Sequence, residues 1–208
     1  LALDFTGQQL LIADGQPLND LGLAVQQSQR SNGYFAEASA NEVSLFYPGG
    51  SQSYDAGSPS RLYSGLMQFA PGQTGFYWLD DNELFVYRPG MDYPKRVIHD
   101  NDFGWPAIAD LDQNGSPDFL YVSGTGQRLE GVNLNLGTLS AFPVEAPSGT
   151  RFTGTPLLAD INGDGTQELL VAGQDSLSLN IYGYTIDGKK LSNFPLYVGS
   201  LVQTDAVP

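Results

Sequence analysis

Two segments of the sequence, fifty residues apart, align with each other without a gap. The first covers residues 105–123 and the second covers residues 155–172, and Pro106 matches Pro156. An aromatic–proline pair recurs upstream of each segment and once more near the end of the sequence, at Tyr93-Pro94, Phe142-Pro143 and Phe194-Pro195. A repeat of this length restricts the fold to architectures that stack one supersecondary unit several times.

Each copy of the repeat is predicted to form four short strands, which is the content of one β-propeller blade. In the second copy, residues 156–159 predict the first strand. The apolar run 168–172 predicts a second strand that is covered on both faces. Residues 177–184 predict a third strand that ends at an Asp-Gly turn, and residues 189–198 predict the outer strand.

The first half of the sequence repeats more weakly. Residues 33–49 resemble residues 75–90 with one gap, and each segment predicts two central blade strands joined by a tight turn. Residues 1–14 predict a hairpin that turns at Thr6-Gly7, and residues 18–29 predict either a strand or a short helix.

These units predict an all-β fold, which is a β-propeller or a contiguous part of one. We expect a single propeller region over residues 1–208, with two plainer blade-like units at about 30–90 and two strong repeats at about 94–208. A ring of four blades fits the length, since propellers have about four to eight blades. The difference between the two halves, and the end of the sequence at Pro208 where a further copy would begin, favour part of a larger ring. The start at Leu1 without a Met indicates a processed chain or a piece of a longer one.

Composition excludes several classes of function. The sequence has no Cys and one His, so disulfide scaffolds, thiol catalysis and multi-His metal sites are excluded. It has 23 acidic against 9 basic residues, a net charge of −14, which predicts no binding to nucleic acid or to anionic lipid. No apolar run is long enough to predict a transmembrane helix.

Each strong repeat contains a nine-residue loop rich in oxygen side chains. Oxygen ligands fall at loop positions 1, 3, 5 and 9, with Gly at position 6, and position 7 can supply a backbone carbonyl. The candidate ligands are Asp110, Asp112, Asn114, Ser116 and Asp118 in the first loop and Asp160, Asn162, Asp164, Thr166 and Glu168 in the second. Calcium takes about six to eight oxygen ligands, so the pattern predicts two calcium sites of modest affinity.

Loops of this composition have two other interpretations, an EF-hand and an ordinary hairpin turn. An EF-hand needs a bidentate Glu at position 12 and a helix on either side, whereas position 12 here is Tyr121 or Val171 and strands flank both loops. Asp-Asn-Gly loops also occur as ordinary hairpin turns. The recurrence of the pattern in the same register of the repeat favours calcium.

The proline, the acidic loop and the apolar strand that follows it resemble the FG-GAP/VCBS repeat, which builds the propeller of integrin alpha subunits and of many secreted bacterial proteins. The resemblance is specific over residues 105–123 and 155–172 and weak before residue 90. It implies a propeller with calcium between the first and second strands of a blade, held by the ten residues named above. It also implies roles in adhesion, ligand binding or scaffolding.

The sequence gives weaker support for two candidate catalytic sites. His99 lies close to Asp100 and Asp102 and is interpreted as a surface residue rather than a catalytic base. Asp80-Asp81 with Glu83 resembles a carboxylate pair for glycoside hydrolysis, but the segment also has the composition of a solvated hairpin turn, which we favour.

Two classes of function stay open. The first is a non-catalytic, calcium-binding module of an extracellular, cell-surface or periplasmic protein that binds a protein or carbohydrate ligand. The second is a propeller enzyme, a lyase or hydrolase, that acts on polysaccharide. The sequence shows no cluster of catalytic side chains outside the acidic loops, which favours binding.

Overall fold

The computed structural model describes residues 33–39, 41–60, 62–70, 72–100 and 103–201, together with the backbone of short strands at 2–3, 9–10 and 28–31. All regular elements in this part of the chain are β-strands. Accordingly, the described residues contain no helix of the length and apolarity needed to cross a membrane.

A short hairpin begins the chain, followed by four sheets of four strands. Strand β1 (Ala2–Leu3) pairs antiparallel with β2 (Gln9–Leu10), as the predicted hairpin requires, although its turn lies outside the described residues. The first sheet contains β3 (Ser28–Ser31), β4 (Tyr34–Ala38), β5 (Glu42–Tyr47) and β6 (Gly50–Asp55). The second contains β7 (Tyr63–Ala70), β8 (Gln73–Leu79), β9 (Glu83–Tyr87) and β10 (Lys95–His99).

The two strong repeats form the remaining sheets. The third sheet contains β11 (Ala107–Ala109), β12 (Asp118–Val122), β13 (Arg128–Asn133) and β14 (Val144–Glu145). The fourth contains β15 (Arg151–Ala159), β16 (Glu168–Gln174), β17 (Ser178–Thr185) and β18 (Leu196–Ser200). Neighbouring strands within every sheet are antiparallel and follow one another along the chain, which is the meander of a propeller blade.

Several predicted strands are confirmed. The apolar segments of the two strong repeats are the second strands, β12 and β16, of consecutive sheets. In the weaker half, β4 with β5 and β8 with β9 are the predicted central pairs, and each pair is joined by a tight turn. Of the segment 18–29, for which a strand or a helix was predicted, residues 28 and 29 belong to β3 and the rest lies outside the described residues.

Two strand boundaries in the last repeat differ from the prediction. Strand β15 begins at Arg151 rather than at Pro156, because a β-bulge between Thr153 and Leu157 accommodates the proline inside the strand. The outer strand β18 begins at Leu196 rather than at Lys189. Residues 191–194 form a turn instead, with Phe194 N donating to Leu191 O at 3.3 Å.

Hydrophobic residues hold consecutive sheets face to face. Strand β12 shows this most clearly, because Phe119 and Tyr121 pack against the second sheet while Leu120 and Val122 pack against the fourth. A third cluster joins the first sheet to the second through Val43, Leu45, Phe76, Trp78 and Tyr87. The molecule is therefore an all-β, propeller-like row of four blades, and no hydrophobic cluster among the described residues joins the fourth sheet to the first.

The far face of the fourth sheet is partly open to solvent. Leu169 and Val171 of β16 are buried against the third sheet, but Leu170 on the opposite side is only half-buried. On that same side Leu157 is 58% exposed and Leu196 is 50% exposed. The prediction of a second strand covered on both faces is correct for β12 and wrong for β16, because no sheet packs on this side within the described residues.

The recurrent aromatic–proline pair has a packing role in the two strong repeats. A side chain added to Gly131 of β13 would place its Cβ 2.6 Å from the ring of Phe142. Gly183 of β17 meets the ring of Phe194 at the same distance. The aromatic ring thus lies directly on the third strand, where only glycine leaves room for it.

Candidate metal sites

The two acidic loops occupy equivalent places in the third and fourth sheets. The first loop, residues 110–118, connects β11 to β12, and the second loop, residues 160–168, connects β15 to β16. Gly115 and Gly165 at position 6 have φ angles of 84° and 86°, a left-handed conformation that glycine adopts without steric cost. The predicted sharp turn is present in both loops.

The aspartate at position 1 organises each loop through backbone hydrogen bonds. Asp110 Oδ1 accepts from Asn114 N at 2.9 Å, and its Oδ2 accepts from Gly115 N at 2.8 Å. In the second loop, Asp160 Oδ2 accepts from Gly165 N at 2.9 Å. Because each carboxylate holds the chain in a tight curve, the polar side chains at the other loop positions are drawn together.

The acid at position 9 is the first residue of the second strand, and it is buried in both loops. Asp118 Oδ2 accepts from Leu111 N at 2.8 Å, and Glu168 Oε2 accepts from Ile161 N at 2.9 Å. Asp118 has no solvent exposure and Glu168 is 3% exposed. One carboxylate oxygen of each acid therefore ties the loop to the start of its own strand.

In the first loop three carboxylates lie close together, and one oxygen of Asp118 has no hydrogen-bond donor. Asp110, Asp112 and Asp118 each place an oxygen within 4.8 Å of the others. Asp118 Oδ1 is fully buried and has no hydrogen-bond partner. Buried polar atoms are nearly always paired with a protein group, water or an ion. This oxygen and the two neighbouring carboxylates are therefore able to hold a cation.

The electrostatics of Asp118 agree with this geometry. Burial raises the pKa of its carboxyl group above the usual value, and the neighbouring charges of Asp112 and Asp110 raise it further, while the N–H of Leu111 opposes the shift. An ionised carboxylate is unfavourable in such surroundings unless a cation compensates it.

In the second loop a side-chain amide compensates two of the acids. Asn162 Nδ2 donates to Glu168 Oε1 at 2.9 Å and to Asp164 Oδ2 at 3.0 Å, so it bridges the two carboxylates. The N–H of Thr166 and the amide of Asn162 lower the pKa of the exposed Asp164 carboxyl group. This loop satisfies its acids internally, and the three acids Asp160, Asp164 and Glu168 do not converge as those of the first loop do.

In the first loop the side-chain amide belongs to Asn114 and has a different partner. Asn114 Nδ2 donates to Asp112 Oδ2 at 2.9 Å and does not reach Asp118. Asn114 Oδ1 in turn accepts from Ser116 N at 2.8 Å, as Asp164 Oδ1 does from Thr166 N at 2.7 Å. The exchange of Asp and Asn between positions 3 and 5 is the difference that leaves Asp118 Oδ1 without a partner.

The donor set of the first loop fits calcium. Calcium–oxygen distances are about 2.3–2.6 Å, so two oxygens on opposite sides of the ion are about 4.6–5.2 Å apart. Asp110, Asp112 and Asp118 place their oxygens within 4.8 Å of one another, close enough for one calcium ion to contact all three. Carboxylates, the amide oxygen of Asn114 and backbone carbonyls are the hard ligands that calcium prefers.

The other polar groups suggested by the sequence form structural contacts. His99 Nδ1 lies 2.9 Å from Glu83 Oε1, and Arg96 Nη1 lies 2.7 Å from the same Glu83 oxygen. Asp80 Oδ1 accepts from the N–H groups of Asn82 and Glu83 in the tight turn between β8 and β9. The hairpin-turn interpretation of this segment is confirmed.

Comparison with known proteins supports the repeat. Residues 110–171 match the FG-GAP-like repeat family, which confirms the resemblance over a stretch that begins at the first loop and includes the second. No curated protein matches the chain. The fold and this match together define a propeller-like module that carries an FG-GAP-like repeat.

Proposed function

We propose that the chain is a non-catalytic, calcium-binding propeller module of an exported or cell-surface protein, which serves in adhesion, ligand binding or scaffolding. The observation that carries the proposal is the buried, unpartnered Asp118 Oδ1 beside the carboxylates of Asp110 and Asp112. A divalent cation at this position supplies the missing partner and offsets the repulsion between the three acids.

The magnitude of the effect follows from mass action. Three carboxylates in an open loop are typical of extracellular modules, whose dissociation constants are about 10⁻⁴–10⁻³ M. At 1 mM calcium and a dissociation constant of about 10⁻⁴ M, binding stabilises the folded state by about 1.4 kcal/mol. Such a site fills outside the cell, which supports an extracellular, cell-surface or periplasmic location.

The second loop is proposed to bind calcium more weakly. An ion between Asp160, Asp164 and Glu168 has to displace the bridging amide of Asn162 and to break its hydrogen bonds at 2.9 and 3.0 Å. Because those bonds already satisfy the two carboxylates, the net gain from calcium is smaller.

A binding role is favoured over the enzymatic alternative. The position-9 acids of the two loops accept backbone hydrogen bonds, and Glu83 is engaged with Arg96 and His99. We propose a protein or carbohydrate ligand. Nucleic acid is a poor partner, because the net charge of −14 repels phosphate.

Calorimetric titration with calcium tests the proposal. We expect one dominant site in the unchanged protein, a large loss of affinity in Asp118→Asn, and little change in Glu168→Gln. The second variant is the matched control, because it neutralises the equivalent acid of the other loop. If calcium binds the unchanged protein and Asp118→Asn equally well, Asp118 is not a ligand and the proposed site is wrong.

A further inference from the structure

A cavity of about 420 Å³ lies between the second and third sheets, at the end of the molecule where the first acidic loop is found. Its volume falls within the range of about 300–1,000 Å³ that is common for small-molecule sites. Two basic side chains, Arg88 and Lys95, line the cavity, and no carboxylate does. This is unexpected in a chain with 23 acidic and 9 basic residues.

Neither basic side chain is engaged by an acid. Within the described residues, Arg88 and Lys95 form no ion pair with an acid, and Arg151 and Lys190 form none either. Lys95 Nζ donates to the neutral Asn135 Oδ1 at 3.2 Å. Two cations that share a cavity and have no counter-charge are available to an anionic ligand.

The fold places the two cations together. Lys95 on β10 is opposite Val86 on β9, and Arg88 follows Val86 by two residues on the chain. Val86 and Arg88 both line the cavity, so the two basic side chains reach it from β10 and from the residue that follows β9. Arg offers a planar fork that matches a carboxylate, and Lys adds a second, compact positive charge.

The remaining walls fit a saccharide. Gln73, Asn133 and Asn135 contribute amide side chains, which both donate and accept hydrogen bonds as sugar hydroxyl groups do. Phe69, Met91 and Leu134 contribute apolar surface, against which the C–H face of a sugar ring can pack. A ligand that combines a carboxylate with several hydroxyl groups matches both kinds of wall.

We propose that this cavity binds an acidic saccharide, with the carboxylate of a uronic acid unit held by Arg88 and Lys95. The neighbouring hydroxyl groups bind the amide side chains. This inference goes beyond the calcium-binding function, because it rests on the two unpaired cations and not on an ion in the first loop. Asn114 and Ser116 of that loop reach the cavity, but its carboxylates do not line it.

A titration with defined oligosaccharides tests the proposal. The probes are a trimer of galacturonic acid and the same trimer with its carboxyl groups reduced to alcohols, both followed by calorimetry in 1 mM calcium. We expect the acidic trimer to bind and the neutral trimer to bind at least tenfold more weakly. Arg88→Gln and Lys95→Gln should each reduce affinity for the acidic trimer by about tenfold or more, since each removes a charge-assisted hydrogen bond.

Lys190→Gln is the matched control, because it removes one exposed positive charge away from the cavity and should leave affinity unchanged. The calcium-induced shift in melting midpoint, measured on the same samples, tests the metal loop separately. Failure of the acidic trimer to bind overturns the proposal, as does equal affinity for the two trimers or unchanged affinity in both cavity variants. Binding of an acidic peptide such as triglutamate in its place, lost in Arg88→Gln, would overturn the saccharide class.

Discussion

The two acidic loops have the same backbone scaffold and differ in how they compensate their carboxylates. In both loops the position-1 aspartate holds the turn, and one oxygen of the position-9 acid accepts an N–H from the loop. In the second loop, Asn162 donates to the remaining oxygen of Glu168, whereas Asp118 Oδ1 in the first loop has no donor. The comparison teaches that an amide compensates the acids of the second loop, whereas a divalent cation is only the proposed partner of Asp118 in the first.

The largest expected effect is that of Asp118→Ala. The change removes the acceptor for the N–H groups of Leu111 and Asp112 and removes a proposed calcium ligand, so we expect a loss of about 2–4 kcal/mol in the free energy of unfolding at 1 mM calcium. In EDTA the loss should be smaller by about 1.4 kcal/mol, because no calcium contribution is left to lose. Urea unfolding in both buffers measures the difference.

Glu168→Ala is the control for that change. It removes the equivalent acceptor of the second loop, and we expect its cost to be nearly the same in calcium and in EDTA. If the two variants depend equally on calcium, the loops are equivalent and the comparison fails.

Asn162→Asp should convert the second loop to the type of the first. The change removes the bridging amide and adds a fourth acid beside Asp160, Asp164 and Glu168. We expect a loss of about 1–3 kcal/mol in EDTA, from unpaired and mutually repelling carboxylates, and recovery of most of it in calcium. Calorimetric titration should then report a second site of comparable affinity. Asn193→Asp adds the same negative charge at an exposed position. It should neither destabilise the protein in EDTA nor create a second calcium site.

The two loops also show which structural features could be predicted from the sequence. The repeat, the second strands β12 and β16 and the curve of each loop follow from the positions of apolar residues, acids and glycines, so they were predictable. The nine-residue pattern predicts that Asp112 and Asn162 are equivalent oxygen ligands at position 3. It does not show that the Asn162 amide turns its nitrogen toward Glu168, because that orientation depends on the longer side chain of Glu168 and on the N–H of Asp164.

The open face of the fourth sheet and the cavity with Arg88 and Lys95 were not predictable for a related reason. Both depend on which sheets pack together, and no local pattern in the sequence encodes that. The β-bulge that allows β15 to include Pro156 likewise depends on pairing with β16 across the sheet.

Asp118→Asn isolates the charge of Asp118 from its hydrogen-bonding role. The amide oxygen can still accept from Leu111 N, while the amide nitrogen takes the place of the unpartnered Oδ1. We expect the variant to lose the calcium-dependent stabilisation of about 1.4 kcal/mol at 1 mM calcium. In EDTA at neutral pH it should be at least as stable as the unchanged protein. A substantial loss in EDTA would mean that the negative charge itself stabilises the loop.

The pH dependence in EDTA checks the same variant. Burial raises the folded-state pKa of Asp118, so at intermediate pH the folded protein retains a proton that the unfolded protein has released. Stability therefore falls as pH rises from the ordinary aspartate pKa of about 4 through the raised value. Chemical unfolding across this range should show that decline in the unchanged protein and a smaller one in Asp118→Asn.

The smallest expected effect concerns the backbone of the first loop. Gln113 at position 4 has a φ angle of 58°, whereas the second loop has Gly163 with a φ angle of 77° at the same position. The left-handed conformation costs a non-glycine residue about 1–2 kcal/mol, and part of the gain from glycine is offset by the entropy of the unfolded chain. We expect Gln113→Gly to stabilise by up to about 1 kcal/mol in thermal unfolding. Destabilisation would show that the Gln113 side chain supports the loop.

A thermal melt of the unchanged protein in EDTA, in 1 mM calcium and in 1 mM magnesium tests the central claim most directly. Calcium should raise the midpoint by about 3–6 °C, which corresponds to about 1.4 kcal/mol for a chain of this size. Magnesium should raise it much less, because it demands a tighter octahedron and gives up water reluctantly. A midpoint that is the same in EDTA and in calcium would contradict the account and would mean that the first loop is an ordinary turn.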